Sequence, residues 1–193
     1  MKRLLIIVDY QNDFIDGSLG FDSAINIKDN IIKKINDYRN SNDDIIFTMD
    51  THFDNYLQTE EGNNLQVKHC IKGTFGHQIQ SDVFALKEPK DKVFEKHTFP
   101  SLELGKYLEN KEYNQIELCG LVSNICVISN AIIAKSSLPN AHIVVDALAT
   151  DSYDKELHNK TMEVLEGLQI EVVNRWKTRS EERRVGKECR SRW

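Results

Sequence analysis

Apolar and polar positions along the chain follow two alternating rhythms. Aliphatic runs without alternation (Leu4 to Val8, Ile45 to Met49, Ile116 to Leu121, Ile143 to Val145) are bounded by turn residues and suit strands buried on both faces. Two weaker runs, Val93 to Glu95 and Ile170 to Val173, extend the series to six. Between them apolar residues recur at helical spacing: Ile27, Ile31, Ile35 and Tyr38, then Ile125, Ile128 and Ile132, then Leu157, Thr161, Val164, Leu165 and Leu168. Strand and helix in alternation predict an α/β fold, a three-layer α/β/α arrangement around a mostly parallel six-stranded sheet. The interval from about Thr51 to Lys92 breaks the rhythm, being long, polar and rich in His and Gly. Loops of that length inside a compact domain are usually functional.

Composition narrows the class. With 40% hydrophobic and 28% charged residues among 193, the chain is expected to form one domain with a core large enough to need no staples. No stretch approaches the ~18–20 apolar residues of a membrane span, and the N-terminus lacks the pattern of a secretory signal, so a cytoplasmic protein with no membrane partner is expected. A net charge of −5 argues against non-specific nucleic-acid binding, and four scattered cysteines argue against a disulfide framework. Residues 179–193, Arg179 to Trp193, are basic and aperiodic and read as the conceptual translation of a short-read sequencing adapter. The domain is therefore taken as residues 1–178, with a non-native tail after it. Six Lys and Arg against three Glu in that tail leave the remainder near −8, and the natural C-terminus is expected to differ.

In open α/β sheets reactive groups collect at the carboxyl ends of strands. Those ends carry Asp9, then Asp50 and His52, then Lys96, and finally Cys126, which follows Gly120-Leu121-Val122-Ser123-Asn124 at what reads as a helix start. Unpaired N–H groups and the helix dipole favour a thiolate there, which is expected to lower the Cys126 pKa. Taken singly, Asp9 could begin a turn, Lys96 could be a solvated edge residue and Cys126 could be core filler. As a unit they suit acyl transfer: the carboxylate takes and returns a proton, the ammonium holds the anions, and the thiolate attacks. Asp50 and His52, two apart on an extended segment, project to one side and can chelate an ion, with His69 as a third ligand. A carboxylate with two imidazoles suits Zn, Fe or Mn. The pair Glu60-Glu61 lies in the same loop, as a fourth contact or as solvated charge.

Five segments occur together and in order: Asp9-Tyr10-Gln11-Asn12-Asp13-Phe14, Asp50-Thr51-His52, His69-Cys70-Ile71-Lys72-Gly73-Thr74, Lys96-His97-Thr98-Phe99, and Gly120 to Cys126. In this the chain, from Leu4 to about Val173, resembles the isochorismatase-like cysteine hydrolases, and among them most nearly the nicotinamidases. The resemblance implies a Rossmann-like form of the three-layer fold, with Asp9, Lys96 and Cys126 as catalytic triad. It implies Asp50, His52 and His69 as ligands of a divalent metal, zinc foremost with Fe or Mn as alternatives, and Glu61 as a further ligand. It also implies a cis peptide before Val122, an oxyanion hole made of the backbone N–H groups of Val122 and Cys126, and Phe14 as part of an apolar wall for the substrate ring. The implied activity is hydrolysis of nicotinamide or a similar small aromatic amide to the acid and ammonia, in NAD salvage, with self-association into a homo-oligomer left open.

Two positions depart from the pattern. Nicotinamidases usually carry an aromatic residue three positions before the histidine of the His-Cys pair, where this chain has Gln66, and Ser123 stands where threonine is common. Alternatives are another small-amide, carbamoyl or ureido hydrolase of the same family, an isochorismatase-type hydrolase, whose branch generally lacks the metal ligands, and a non-catalytic interaction module on the same fold.

Overall fold

A computed structural model describes residues 2–175. The expected domain end at 178 and the tail 179–193 lie outside those residues. In chain order the elements are β1 (Arg3–Val8), α1 (Asn12–Ile15), α2 (Lys28–Asn40), β2 (Asp44–Asp50), α3 (Glu60–Asn64), α4 (Ser81–Phe84), β3 (Lys92–Lys96), α5 (Leu102–Leu108), β4 (Gln115–Leu121), α6 (Ile128–Ser137), β5 (His142–Asp151), α7 (Lys155–Gly167) and β6 (Glu171–Val173). Short 3-10 turns cover Ala24–Ile27 and Tyr56–Gln58, and a wide π-type turn covers Ser123–Val127. The six strands run β3-β2-β1-β4-β5-β6 and every pairing is parallel.

The unbroken apolar run of β1 reflects its central place, because both of its faces are covered. Leu5 and Ile7 pack with Ile31, Ile35 and Tyr38 of α2 on one face; Leu4, Ile6 and Val8 pack with Leu104, Leu108, Ala131, Met162 and Leu165 on the other. Each isoleucine of α2 that is wholly removed from water contributes roughly 1.5–3 kcal/mol. Among the described residues no helix is long and apolar enough to cross a membrane.

Two helical stripes differ from expectation. In α6 the buried positions are Asn130, Ala131 and Ala134, while Ile132 is exposed. This helix lies against α5, where Gly105 leaves room for Ile133: a Cβ there would come within 3.0 Å of Ile133 Cγ2, so Ile133 takes the α5 contact while Ile125 and Ile128 pack partly buried against the core. In α7 Thr161, Met162 and Leu165 are buried, but Leu157, Val164 and Leu168 are exposed. The predicted long loop is structured. It contains α3, α4 and a 3-10 turn, and isolated bridges join Gln11 to Ile79 and His52 to Ile71.

Candidate active site and metal centre

The strand order β3-β2-β1-β4 sets four carboxyl ends side by side, which brings Lys96, Asp50, Asp9 and the turn carrying Cys126 into one buried cluster. Asp9 follows β1 with φ of 44°, a left-handed conformation sparsely populated by non-glycine residues and often found at functional sites. Its Oδ1 accepts from the Thr48 hydroxyl at 2.7 Å and its Oδ2 lies 2.6 Å from Lys96 Nζ. Lys96 Nζ also donates to Asp50 Oδ1 at 3.2 Å, to the Thr98 carbonyl at 3.1 Å and to Cys126 Sγ at 3.5 Å.

Gly120 permits the approach of β4 to β1. With φ of +111°, an added Cβ would stand 2.0 Å from the Val8 carbonyl oxygen, so a side chain there would force the strands apart. The Leu121-Val122 peptide that follows is cis, as the resemblance implies. The Val122 carbonyl then accepts from the Ile125 and Val127 amides at 3.1 and 3.2 Å, which shapes the turn presenting Cys126. Asn130, one helical turn on, donates to the Cys126 and Phe99 carbonyls and accepts from the Ser101 amide, fixing the far side of that turn.

Burial and mutual charge together set the ionisation of these groups. It raises the Asp9 carboxyl, opposed by Lys96, and the net direction is up. Burial alone would lower Lys96, but Asp9, Cys126 and Asp50 hold it well above the usual lysine value. The Cys126 thiol is likewise pushed well above its usual value by burial, with Lys96 opposing and Asp9 and Asp50 adding to the rise. The expected lowering of this thiol at a helix start is therefore overturned. Desolvation and the neighbouring carboxylates push the thiol up against the pull of Lys96.

The second constellation assembles beside the first. Asp50 Oδ2 lies 3.0 Å from His52 Nε2 and 3.3 Å from His69 Nε2, and Glu61 Oε1 lies 3.4 and 3.5 Å from the same two nitrogens. One donor atom from each of the four falls within 4.8 Å of the others. Such separations suit ligands of a single ion at bond lengths of ~2.0–2.2 Å. The His69 Nδ1–H is given to the Val67 carbonyl at 2.9 Å, so Nε2 is free to coordinate, and Glu61 Oε2 is buried with no hydrogen-bond partner among the described residues. The residues thus fit a divalent cation. Glu61 reaches the cluster because Thr59 caps α3, its hydroxyl accepting from the Gly62 amide at 3.0 Å. With protons in place of a metal, burial opposes charge on both imidazoles, yet Asp50 and Glu61 raise each to about 9, and the two imidazoles hold Glu61 down at about 2 against its burial. Asp50 belongs to both constellations, one oxygen facing Lys96 and the other the histidines.

Phe14 is buried, its ring centroid 5.7 Å from that of His69. Gln66 is exposed. Sequence reasoning assigned no part to Gln11, Asp13, Thr48 or Asn130. Asp13 Oδ2 accepts the Cys70 amide at 2.7 Å, anchoring the loop that carries His69. The signal for Thr48 was its polarity within the apolar run Ile45 to Met49; the others lacked any until their partners were brought near. His77 joins Thr51 at 2.9 Å rather than the metal ligands.

A family model described as the isochorismatase domain matches residues 3–175. The chain belongs to the isochorismatase family. Family relatives include an uncharacterized isochorismatase family protein, PncA, of Bacillus subtilis, 28% identical over 169 residues, covering 82% of this chain and 91% of that protein. Among solved structures, a pyrazinamidase/nicotinamidase of Streptococcus mutans has a TM-score of 0.79 at 25% identity, covering 89% of this chain and 100% of that one. The family fold is shared equally by the pyrazinamidase of Pyrococcus horikoshii solved in complex with zinc, with a TM-score of 0.79 at 21% identity over 90% of this chain and 99% of that one.

Proposed function

We propose that this isochorismatase-family hydrolase is a metal-assisted cysteine amidase that converts nicotinamide, or a similar small aromatic amide, to the acid and ammonia through a thioester. The observation that carries the proposal is the continuous contact from Cys126 through Lys96 to Asp9, joined to the four-residue metal cluster by Asp50. Asp9 takes the thiol proton, and its raised pKa suits a base that must later act as an acid. The thiolate attacks the amide carbon, and the backbone N–H groups of Val122 and Cys126 stabilise the oxyanion, a contribution of about 10²–10³ per donor in other acyl-transfer sites. Asp9 then protonates departing ammonia and activates the water that opens the thioester, while Lys96 keeps the carboxylate oriented. Asp50, His52, Glu61 and His69 would hold a divalent metal, which would supply a Lewis-acidic anchor for the substrate ring. Phe14 walls the ring. Support comes from the pyrazinamidase/nicotinamidase name of the Streptococcus mutans structure, from the zinc of the Pyrococcus neighbour, which makes zinc the first choice here, and from the donor set. The three described cysteines are all free, which suits a cytoplasmic enzyme.

The exposed Gln66, in place of an aromatic stacking partner, favours a second reading in which the substrate is another small amide. An ammonia-release screen over nicotinamide, pyrazinamide and carbamoyl compounds, with and without chelator and with His52→Ala alongside, separates the two. Chelator-sensitive release from nicotinamide is expected. A protein that takes up no stoichiometric metal and releases no ammonia from nicotinamide sinks the first reading.

A further inference from the structure

Gln11 lies two residues beyond Asp9 and has no exposed surface, yet it touches no reacting group. Its side-chain amide is spent on main-chain atoms: Oε1 accepts from the Asp50 amide at 2.8 Å, and Nε2 donates to the Asp50 carbonyl at 2.9 Å and to the His77 carbonyl at 2.8 Å. The strand ladder explains why these bonds are needed. Pairing between β1 and β2 stops at Val8 opposite Thr48, whereas β2 continues to Asp50, which pairs with Lys96 of β3 on its other side. The Asp50 N–H and C=O on the β1 side therefore lack a strand neighbour, and a buried peptide group without partners is costly. The Gln11 amide, itself shaped like a peptide group, takes that place.

Asp50 has little freedom to be placed badly. Its Oδ1 meets Lys96 at 3.2 Å while its Oδ2 faces His52 and His69 at 3.0 and 3.3 Å, so a small rotation of the carboxylate improves one side at the expense of the other. The third bond, to the His77 carbonyl, ties the same amide to the loop that carries His69. We propose that Gln11 is a positioning residue for the metal centre, standing in for the missing strand neighbour of Asp50 and fixing that carboxylate between Lys96 and the metal. The assignment rests on the metal site proposed above.

Calorimetric titration of chelator-stripped protein with Zn²⁺ tests it, using wild type, Gln11→Met and Asp50→Asn, the double variant, and Ile35→Val as a core-destabilised control. Outer-shell partners of metal ligands typically affect affinity by about 10–100-fold, and a loss in that range is expected for Gln11→Met. The loss should vanish in the Asp50→Asn background, and Ile35→Val should lower the melting temperature without changing affinity. Gln11→Ala, whose smaller side chain admits water to the freed main-chain groups, replaces the Met variant should the latter not fold. A Gln11 variant with wild-type zinc affinity and only a lower melting temperature overturns the positioning role, as does an undiminished Gln11 effect in the Asp50→Asn background. Failure of the wild type itself to bind zinc overturns instead the metal site on which the role depends.

Discussion

Replacing Lys96 by methionine removes the cation that Asp9, Asp50 and Cys126 share. Its Nζ lies 2.6 Å from Asp9 and 3.2 Å from Asp50, with side-chain exposures of 2% for Lys96, 0% for Asp9 and 5% for Asp50, so water cannot take its place. Removing one partner of a buried ion pair costs about 3–5 kcal/mol, set against a total stability of roughly 5–15 kcal/mol for a domain, so the variant should fold but with a much smaller margin. Protonation of Asp9 limits the loss, and the sign follows from its direction of shift. Burial already raises this carboxyl above 3.8 and Lys96 opposes the rise; without Lys96 the folded-state pKa climbs further. A raised pKa contributes stability below the unfolded value that is lost as pH rises through the folded value. The gap between wild type and variant should therefore be widest near about pH 8 and narrow toward about pH 5. Urea unfolding followed by far-UV circular dichroism, with chelator present throughout, measures the gap at both pH values. Ammonia release from metal-loaded samples should fall by about 10²–10⁴, since a protonated Asp9 cannot accept the thiol proton. A variant as stable as wild type, or a gap that widens on acidification, refutes the buried counter-ion role.

Three further outcomes are expected. Cys126→Ala should keep its fold and its zinc uptake while ammonia release disappears; turnover near the wild-type level would remove the cysteine from the chemistry. Stripping the metal should make stability pH-dependent, because imidazoles raised to about 9 from 6.5 stabilise the fold fully below 6.5 and progressively less up to about 9. Chelated protein should accordingly melt lower at alkaline pH than near neutrality, with zinc restoring more at alkaline pH, and a flat melting profile would count against the shared carboxylates. Gly120→Ala should cost at least ~2 kcal/mol in thermal or urea unfolding, because the backbone is left-handed and the new Cβ meets the Val8 carbonyl; near-neutral stability would mean that β1 and β4 can separate freely.

Much of the architecture and the candidate site was legible in the chain itself, because both depend on local periodicity and strand ends. Runs such as Leu4 to Val8 must be covered on both faces, which requires helices on each side of a parallel sheet, and the reactive residues of such a sheet follow its strands. Asp9, Asp50, Lys96 and Cys126 were found in this way without knowledge of the strand order. Three matters were decided only by tertiary structure. The order β3-β2-β1-β4 made those four ends adjacent, and no local pattern encodes which strand lies beside which. In the stripe leading into α6, Ile125 and Ile128 pack against the core but Ile132 is left exposed while Ile133 meets Gly105 of α5, since periodicity marks apolar positions but not which of them a neighbour covers. The Cys126 thiol was driven up rather than down, because its pKa depends on desolvation and on charges from distant strands, which no local pattern displays. The Gln11 clamp belongs to the same class: an amide in the chain has no visible task until β1 stops short of Asp50 and leaves two backbone groups to be satisfied.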